Sequence, residues 1–261
     1  AWAEAPRDLP DRLKVPAWIL ATVAMLAALA WALTGLASPL LLTAAVELAV
    51  ARTVKSRVQR VAGGVEEPGR ELAVLADVLG RLERESFRAG RLLALQRVLQ
   101  EGDRPASRRI AQLDRLVDLF DARRNILFAI PAFLVMWSLH FAVALERWRE
   151  RWGRHVPDWL RAVGELEALC SLASYAYEHP DDPFPELSEA GPVFEAVEVG
   201  HPLLPEGACV RNDVRLGESP RLLVVSGSNM SGKSTLLRTV GANCILACAG
   251  APVRAKRLRL S

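Results

Sequence analysis

The chain has 261 residues, 51% of them hydrophobic, so it exceeds one average domain and holds more apolar material than a soluble protein of its charge content usually does. Its net charge of +3 is too small to argue for nucleic acid on its own, and arginine is spread along the chain rather than gathered in one basic arm. The four cysteines, Cys170, Cys209, Cys244 and Cys248, lack CxxC pairing and a histidine at metal-ligand spacing, which excludes a zinc site and leaves buried thiols in a reducing cytosol.

Residues 1–14 are charged and Pro-rich, and no small-residue cleavage site follows them, so no secretory signal is visible. Val15 to Val46 then runs for 32 positions without a charged residue, enough to cross a bilayer or to form a hairpin turning at Ser38 and Pro39. Arg52, Lys55, Arg57 and Arg60 form a cationic border of the kind found on the cytoplasmic side of a membrane segment. From Glu71 a helical stripe appears at Leu72, Leu75, Leu79 and Leu82, broken by Gly102, Asp103 and Pro105. Ser107 is the expected N-cap of the next helix, whose stripe is Ile110, Leu113, Val117 and Phe120. The two helices are expected to pack as an antiparallel pair.

A second block, Asn125 to Leu145, carries no charge over 21 positions apart from His140. Basic residues flank it on both sides, which conflicts with a simple single crossing, so it reads as re-entrant or simply buried. Trp18, Trp31, Trp137 and Trp148 lie near the block ends, as interfacial anchors would. The alternative is that all these segments form the core of a soluble helical bundle. Pro157 opens a further helix to about Glu178, and Asp181, Asp182, Pro183 and Pro185 end it in a loop. Short β-like runs follow at 193–199, 208–210, 214–216 and 221–225. The expected divisions are therefore residues 1–60, apolar helices that could form a membrane hairpin; 61–190, a helical region; and 191–261, a nucleotide-binding region.

Residues 227–234 read GSNMSGKS directly after the apolar run 222–225. Gly227 and Gly232 let the backbone turn tightly enough to aim successive N–H groups at a polyphosphate. Ser228, Asn229, Met230, Ser231 and Thr235 complete the cradle, Lys233 is placed to reach the β- and γ-phosphates, and the Ser234 hydroxyl to bind Mg²⁺. The helix expected from Lys233 points its positive end at the same anion, with Leu236, Leu237, Val240, Ile245 and Leu246 as its apolar residues. ATP and Mg²⁺ are the expected cofactors. The chain opens without methionine and closes at Ser261 before any acidic strand of the Walker B kind, so it is expected to be a fragment that alone binds nucleotide weakly and does not hydrolyse it.

Three stretches carry a family resemblance: Gly200 to Leu204, Val210 to Val214, and SGSNMSGKSTLLRTVG from Ser226 to Gly241. Together they resemble the ATPase domain of the MutS family, and the text from Val163 to Leu187 is similar to that of its membrane-associated bacterial members. The specific match covers roughly residues 155–261. The resemblance implies an α/β P-loop NTPase fold of the ABC/MutS type, preceded by a long all-α region of lever and clamp character. It also implies a composite ATPase that dimerises through its nucleotide domains, double-stranded DNA as a partner, and a place at the cytoplasmic side of a bacterial membrane.

In that family an aromatic and an aliphatic residue two strands ahead of the loop pack on adenine. The corresponding positions here are Cys209 and Val210, so a stacking contact worth about 1 kcal/mol is lost. The mismatch-reading Phe-x-Glu pattern occurs only as Phe184, Pro185, Glu186, in a Pro-rich loop that reads as a linker. An ABC-type transporter ATPase is a competing reading, opposed by Met230 where transporter loops usually carry glycine. A nucleotide-gated membrane scaffold is another.

Overall fold

The structure, a computed structural model, describes residues 3, 7–63, 69–102, 104–125, 128–228 and 230–261. The chain divides into two compact units, Ala1–Gly164 and Glu165–Ser261.

The first unit is all helical. Helices α1 (Lys14–Thr34) and α2 (Ser38–Gly63) form a hairpin. The turn falls at 35–37, earlier than the expected Ser38 and Pro39, which instead open α2. Gly35 sets this position, because it takes a left-handed φ of 74° and returns its N–H to the Trp31 carbonyl. Ala17, Ala21, Ala24 and Ala27 are buried on α1, while Ile19, Val23, Leu26, Leu29 and Leu33 stay exposed. Small residues thus form the inward seam, and the bulky apolar ones face outward, the reverse of a soluble helix.

Helices α3 (Gly69–Arg84), α4 (Gly90–Gln100) and α5 (Ala106–Asp121) follow, so the helical pattern from Glu71 breaks at 85–89 as well as at Gly102. The expected stripe is buried on α5 (Ile110, Leu113, Val117, Phe120), and Leu72 and Leu79 are buried on α3. Ser107 does not cap α5, since the N-cap is Pro105; its backbone N–H and hydroxyl both go to the Glu83 carboxylate, joining the end of α3 to the start of α5.

The second apolar block is two helices, α6 (Ala129–Leu134) and α7 (Trp137–Trp152), parted where Met136 adopts φ 48°. Leu139, Ala142, Val143, Leu145 and Trp148 of α7 are buried against protein, so this block is core and not a continuous span. Among the described residues one helix, Asp11–Thr34, is long and apolar enough to cross a membrane. Helix α8 (Val156–Glu178) leads into the second unit.

The second unit holds a four-stranded mixed sheet of β1 (Glu186–Leu187), β2 (Phe194–Val199), β3 (Asn212–Leu216) and β4 (Arg257–Leu260), in the order β1-β4-β2-β3. β1 runs parallel to β4, and β2 runs antiparallel to both β4 and β3. Helix α9 (Lys233–Ala249) covers it, with Leu236, Val240 and Leu246 against Phe194, Val199, Val214 and Leu258.

Two expected strands are absent. Residues 206–208 form a 3-10 turn, and 221–225 join no strand, with Leu222 and Val224 76% and 77% exposed. A strand exists only through its ladder, and no described strand lies beside this segment, so the sheet here is not the parallel arrangement the P-loop fold class calls for.

The α9 face also differs from expectation. Leu237 and Ile245 are exposed, whereas Thr239, Asn243 and Ala247, at i, i+4 and i+8, are buried. Asn243 donates to the carbonyls of Gly200 (3.0 Å) and Thr239 (2.8 Å) and accepts from the Arg254 N–H (2.7 Å). Of the four cysteines, all free, Cys170 and Cys248 are exposed rather than buried.

The loop after α8 is anchored by charge. Asp182 accepts from the Tyr175 hydroxyl at 3.1 Å and pairs with the buried Arg254 at 3.5 Å. Burial and the Asp182 charge push the Tyr175 phenol up to about 12.

Asn243→Ala would strand a buried carbonyl and a buried N–H, and is expected to cost about 1–3 kcal/mol, read as faster amide exchange across β2 and β4. Because the Tyr175 phenol is raised above its ordinary value of about 10, its contribution is complete below about pH 10 and is lost as pH rises toward 12. Alkaline unfolding of Tyr175→Phe is accordingly expected to be shallower across that window.

Candidate functional site

The glycine-rich segment is a turn delivered to the start of a long helix. Gly232, at φ 86°, is the N-cap of α9, and Met230 takes φ 66° with its side chain fully in solvent. A Cβ on Gly227 would press on Ser231 Oγ at 2.9 Å. The Lys233 ammonium curls back into the loop, donating to the carbonyls of Gly227 at 2.6 Å and Ser228, and lying 3.5 Å from Ser231 Oγ. The first-turn N–H groups of Lys233, Ser234 and Thr235 have no acceptor within the helix and carry its positive dipole end.

A cavity of about 410 Å³ opens beside this turn, a volume in the range of small-ligand sites. It gathers Ser231, Gly232, Lys233 and Thr235 on one side and Cys209 and Val210 on the other. Residues thought to meet a phosphate and residues thought to meet a base thus line one cavity. Gly227, Ser228, Met230 and Ser234 stand outside that lining, and Asn229 lies outside the described residues.

Sequence reasoning did not single out His201, which lines the cavity with Leu204 and Thr239. Its position, in a Gly-His-Pro turn immediately after β2, was the available signal. Gly200 is fixed by packing: its N–H bonds the Arg254 carbonyl at 2.7 Å, and a Cβ there would sit 2.7 Å from Cys209 Sγ.

A polyphosphate suits this turn, which offers helix-end N–H groups, the Lys233 ammonium and glycines where the backbone closes in. For Mg²⁺ the exposed Ser234 hydroxyl would supply one oxygen. No group of three or more His, Cys, Asp or Glu side chains that could hold a metal occurs among the described residues, so the ion's other ligands would be phosphate and water. In the Phe184-Pro185-Glu186 run Phe184 is exposed, but Glu186 opens β1 instead of lying in a linker, and it pairs with Arg257 at 3.1 Å.

Comparison with known proteins places these features. A protein named probable DNA mismatch repair protein Msh6, from Drosophila melanogaster, is 38% identical over 120 residues, 43% of this chain and 10% of that protein. Endonuclease MutS2 of Thermus thermophilus is 34% identical over 110 residues, 41% of this chain and 13% of the relative. DNA mismatch repair protein MutS 1 of Halobacterium salinarum is 34% identical over 166 residues, 61% of this chain and 19% of the relative.

Over this part its sequence is similar to proteins of the MutS family.

The chain spans between a tenth and a fifth of the length of these relatives. No family model matches it. Gly200→Ala is expected to push Cys209 off the cavity wall and to destabilise the second unit by about 1–3 kcal/mol. Thermal unfolding, together with the rate at which a thiol reagent labels Cys209, measures both effects.

Proposed function

We propose that this chain supplies the phosphate-binding half of a Mg²⁺-dependent ATPase that couples nucleotide state to the movement of its helices. The observation that carries this is the junction at 227–235. A glycine turn, an ammonium held only by loop carbonyls and the open end of a 17-residue helix all face one cavity. Bound ATP would draw Lys233 from Gly227 and Ser228 onto its phosphates, exchanging neutral carbonyl acceptors for anionic oxygens and so adding a charge–charge attraction to each hydrogen bond.

The base would lie against Cys209, Val210 and His201. An imidazole and a thiol discriminate among purines weakly, so preference for ATP over GTP is expected to be only a few-fold. Hydrolysis and dimerisation through the nucleotide domains follow from the resemblance above, and a duplex DNA partner is supported also by relatives named for DNA mismatch repair. DNA contact would be made through phosphates, since no base-reading element is present in the described residues. A membrane tether is the accompanying reading, favoured by α1, whose bulky apolar residues face outward along its length. It places the chain at the cytoplasmic face of a membrane.

Lys233→Ala in the full-length protein is expected to lower ATP affinity at least a hundredfold, measured by titration calorimetry; undiminished affinity would remove the phosphate-loop assignment. Duplex DNA affinity is expected to fall with a log–log salt slope of about −0.9 per phosphate contacted. A flat salt profile would reject a phosphate-reading clamp.

A further inference from the structure

A second cavity, of about 600 Å³, lies wholly within the first unit between α1 and the α6–α7 pair. Its walls are almost entirely apolar: Trp18, Met25, Val135, Trp137 and Phe141. Two contacts set its direction. Arg147 bonds Asp11 at 2.5 Å through Nε, and His140 lies 4.6 Å from Trp18 between ring centroids. As the numbering rises on α1 it falls on α7, so the helices are antiparallel and Lys14 and Arg147 meet at the same end of the slot. Met25 marks the other end, 11 residues and about 16 Å further along α1.

The slot is therefore cationic at its mouth and apolar along its length. Lys14 has no carboxylate within ion-pair distance among the described residues, and Arg147 gives only Nε to Asp11, so its two terminal nitrogens stay available. Arg7 shares Asp11 at 2.7 Å and also pairs with Glu150 at 3.0 Å, so the acidic groups near Asp11 are engaged by Arg7 and the mouth keeps the charge of Lys14. The outer faces of α1 beside the slot carry Ile19, Val23 and Leu26, all exposed, so its apolar lining continues into the surface that the tether reading places in hydrocarbon.

We propose that this slot holds one anionic phospholipid of the bilayer, its phosphate between Lys14 and Arg147 and one acyl chain running past Trp18 toward Met25. Charge complementarity selects the headgroup: a neutral zwitterionic lipid would bring its own cation to a mouth already positive. The apolar length selects a chain-bearing ligand over free phosphate. The inference rests on the membrane-tether reading and assigns that tether a lipid preference.

The test uses the full-length protein and flotation with two vesicle types, phosphatidylcholine alone and phosphatidylcholine mixed with phosphatidylglycerol. Two cations at about 1 kcal/mol each predict binding to the mixed vesicles about tenfold tighter or more. Lys14→Glu is expected to abolish that preference while leaving binding to neutral vesicles intact. Ala144→Phe, which fills the slot without changing charge, is expected to remove the single phosphatidylglycerol retained in native mass spectrometry. Arg52→Glu, on the basic border outside the slot, is expected to change neither. No binding to either vesicle overturns the tether reading and this inference together. Binding that ignores vesicle charge, or that Lys14→Glu and Ala144→Phe leave unaltered, overturns the lipid site alone.

Discussion

One amide side chain fixes the geometry around the cavity of the second unit. Asn243 sits in the middle of α9, buried, and satisfies three backbone groups at once: the Gly200 carbonyl at the end of β2, the Thr239 carbonyl one turn back, and the Arg254 N–H ahead of β4. A buried amide left unpaired would be strongly unfavourable, so the helix can dock in one register only. The loop at 227–232 is the N-terminal extension of that helix, and Cys209 leans on Gly200. Both walls of the cavity therefore take their positions from the same residue.

Around that clasp the second unit is held by a small number of polar contacts more than by a large core. Its sheet has four short strands, two of them joined through a bulge where Glu198 takes φ 50°. Arg254 links it to the loop after α8 through Asp182, which in turn accepts from Tyr175. The Gly200 N–H bonds the Arg254 carbonyl as well, so one short segment before β4 serves the helix, the turn and the preceding loop.

The glycine turn and the helix start behind it were legible in the sequence because their determinants are local: glycines, a lysine and an apolar helix within a few residues. The stripes on α3 and α5 were legible for the same reason, being regular in period. What eluded the sequence depended on distant partners. Of the apolar residues of α9, Leu236, Val240 and Leu246 pack on the sheet while Leu237 and Ile245 are exposed, because the docking face is centred on Thr239, Asn243 and Ala247, chosen by backbone groups 11 and 43 residues away. Ser107 looked like a cap, but Glu83, across the break at Gly102, claimed both its hydroxyl and its N–H. The apolar run at 129–145 gave no sign that Met136 would divide it.

The segment before the loop has a practical corollary. Residues 221–225 present exposed leucine and valine side chains on a backbone that makes no ladder contact among the described residues. An uncovered apolar ribbon of this kind is a template for another ribbon like itself. Wherever it is left bare, self-association by strand pairing should compete with folding, and a lysine or proline placed opposite Val224 would be the simplest guard against precipitation.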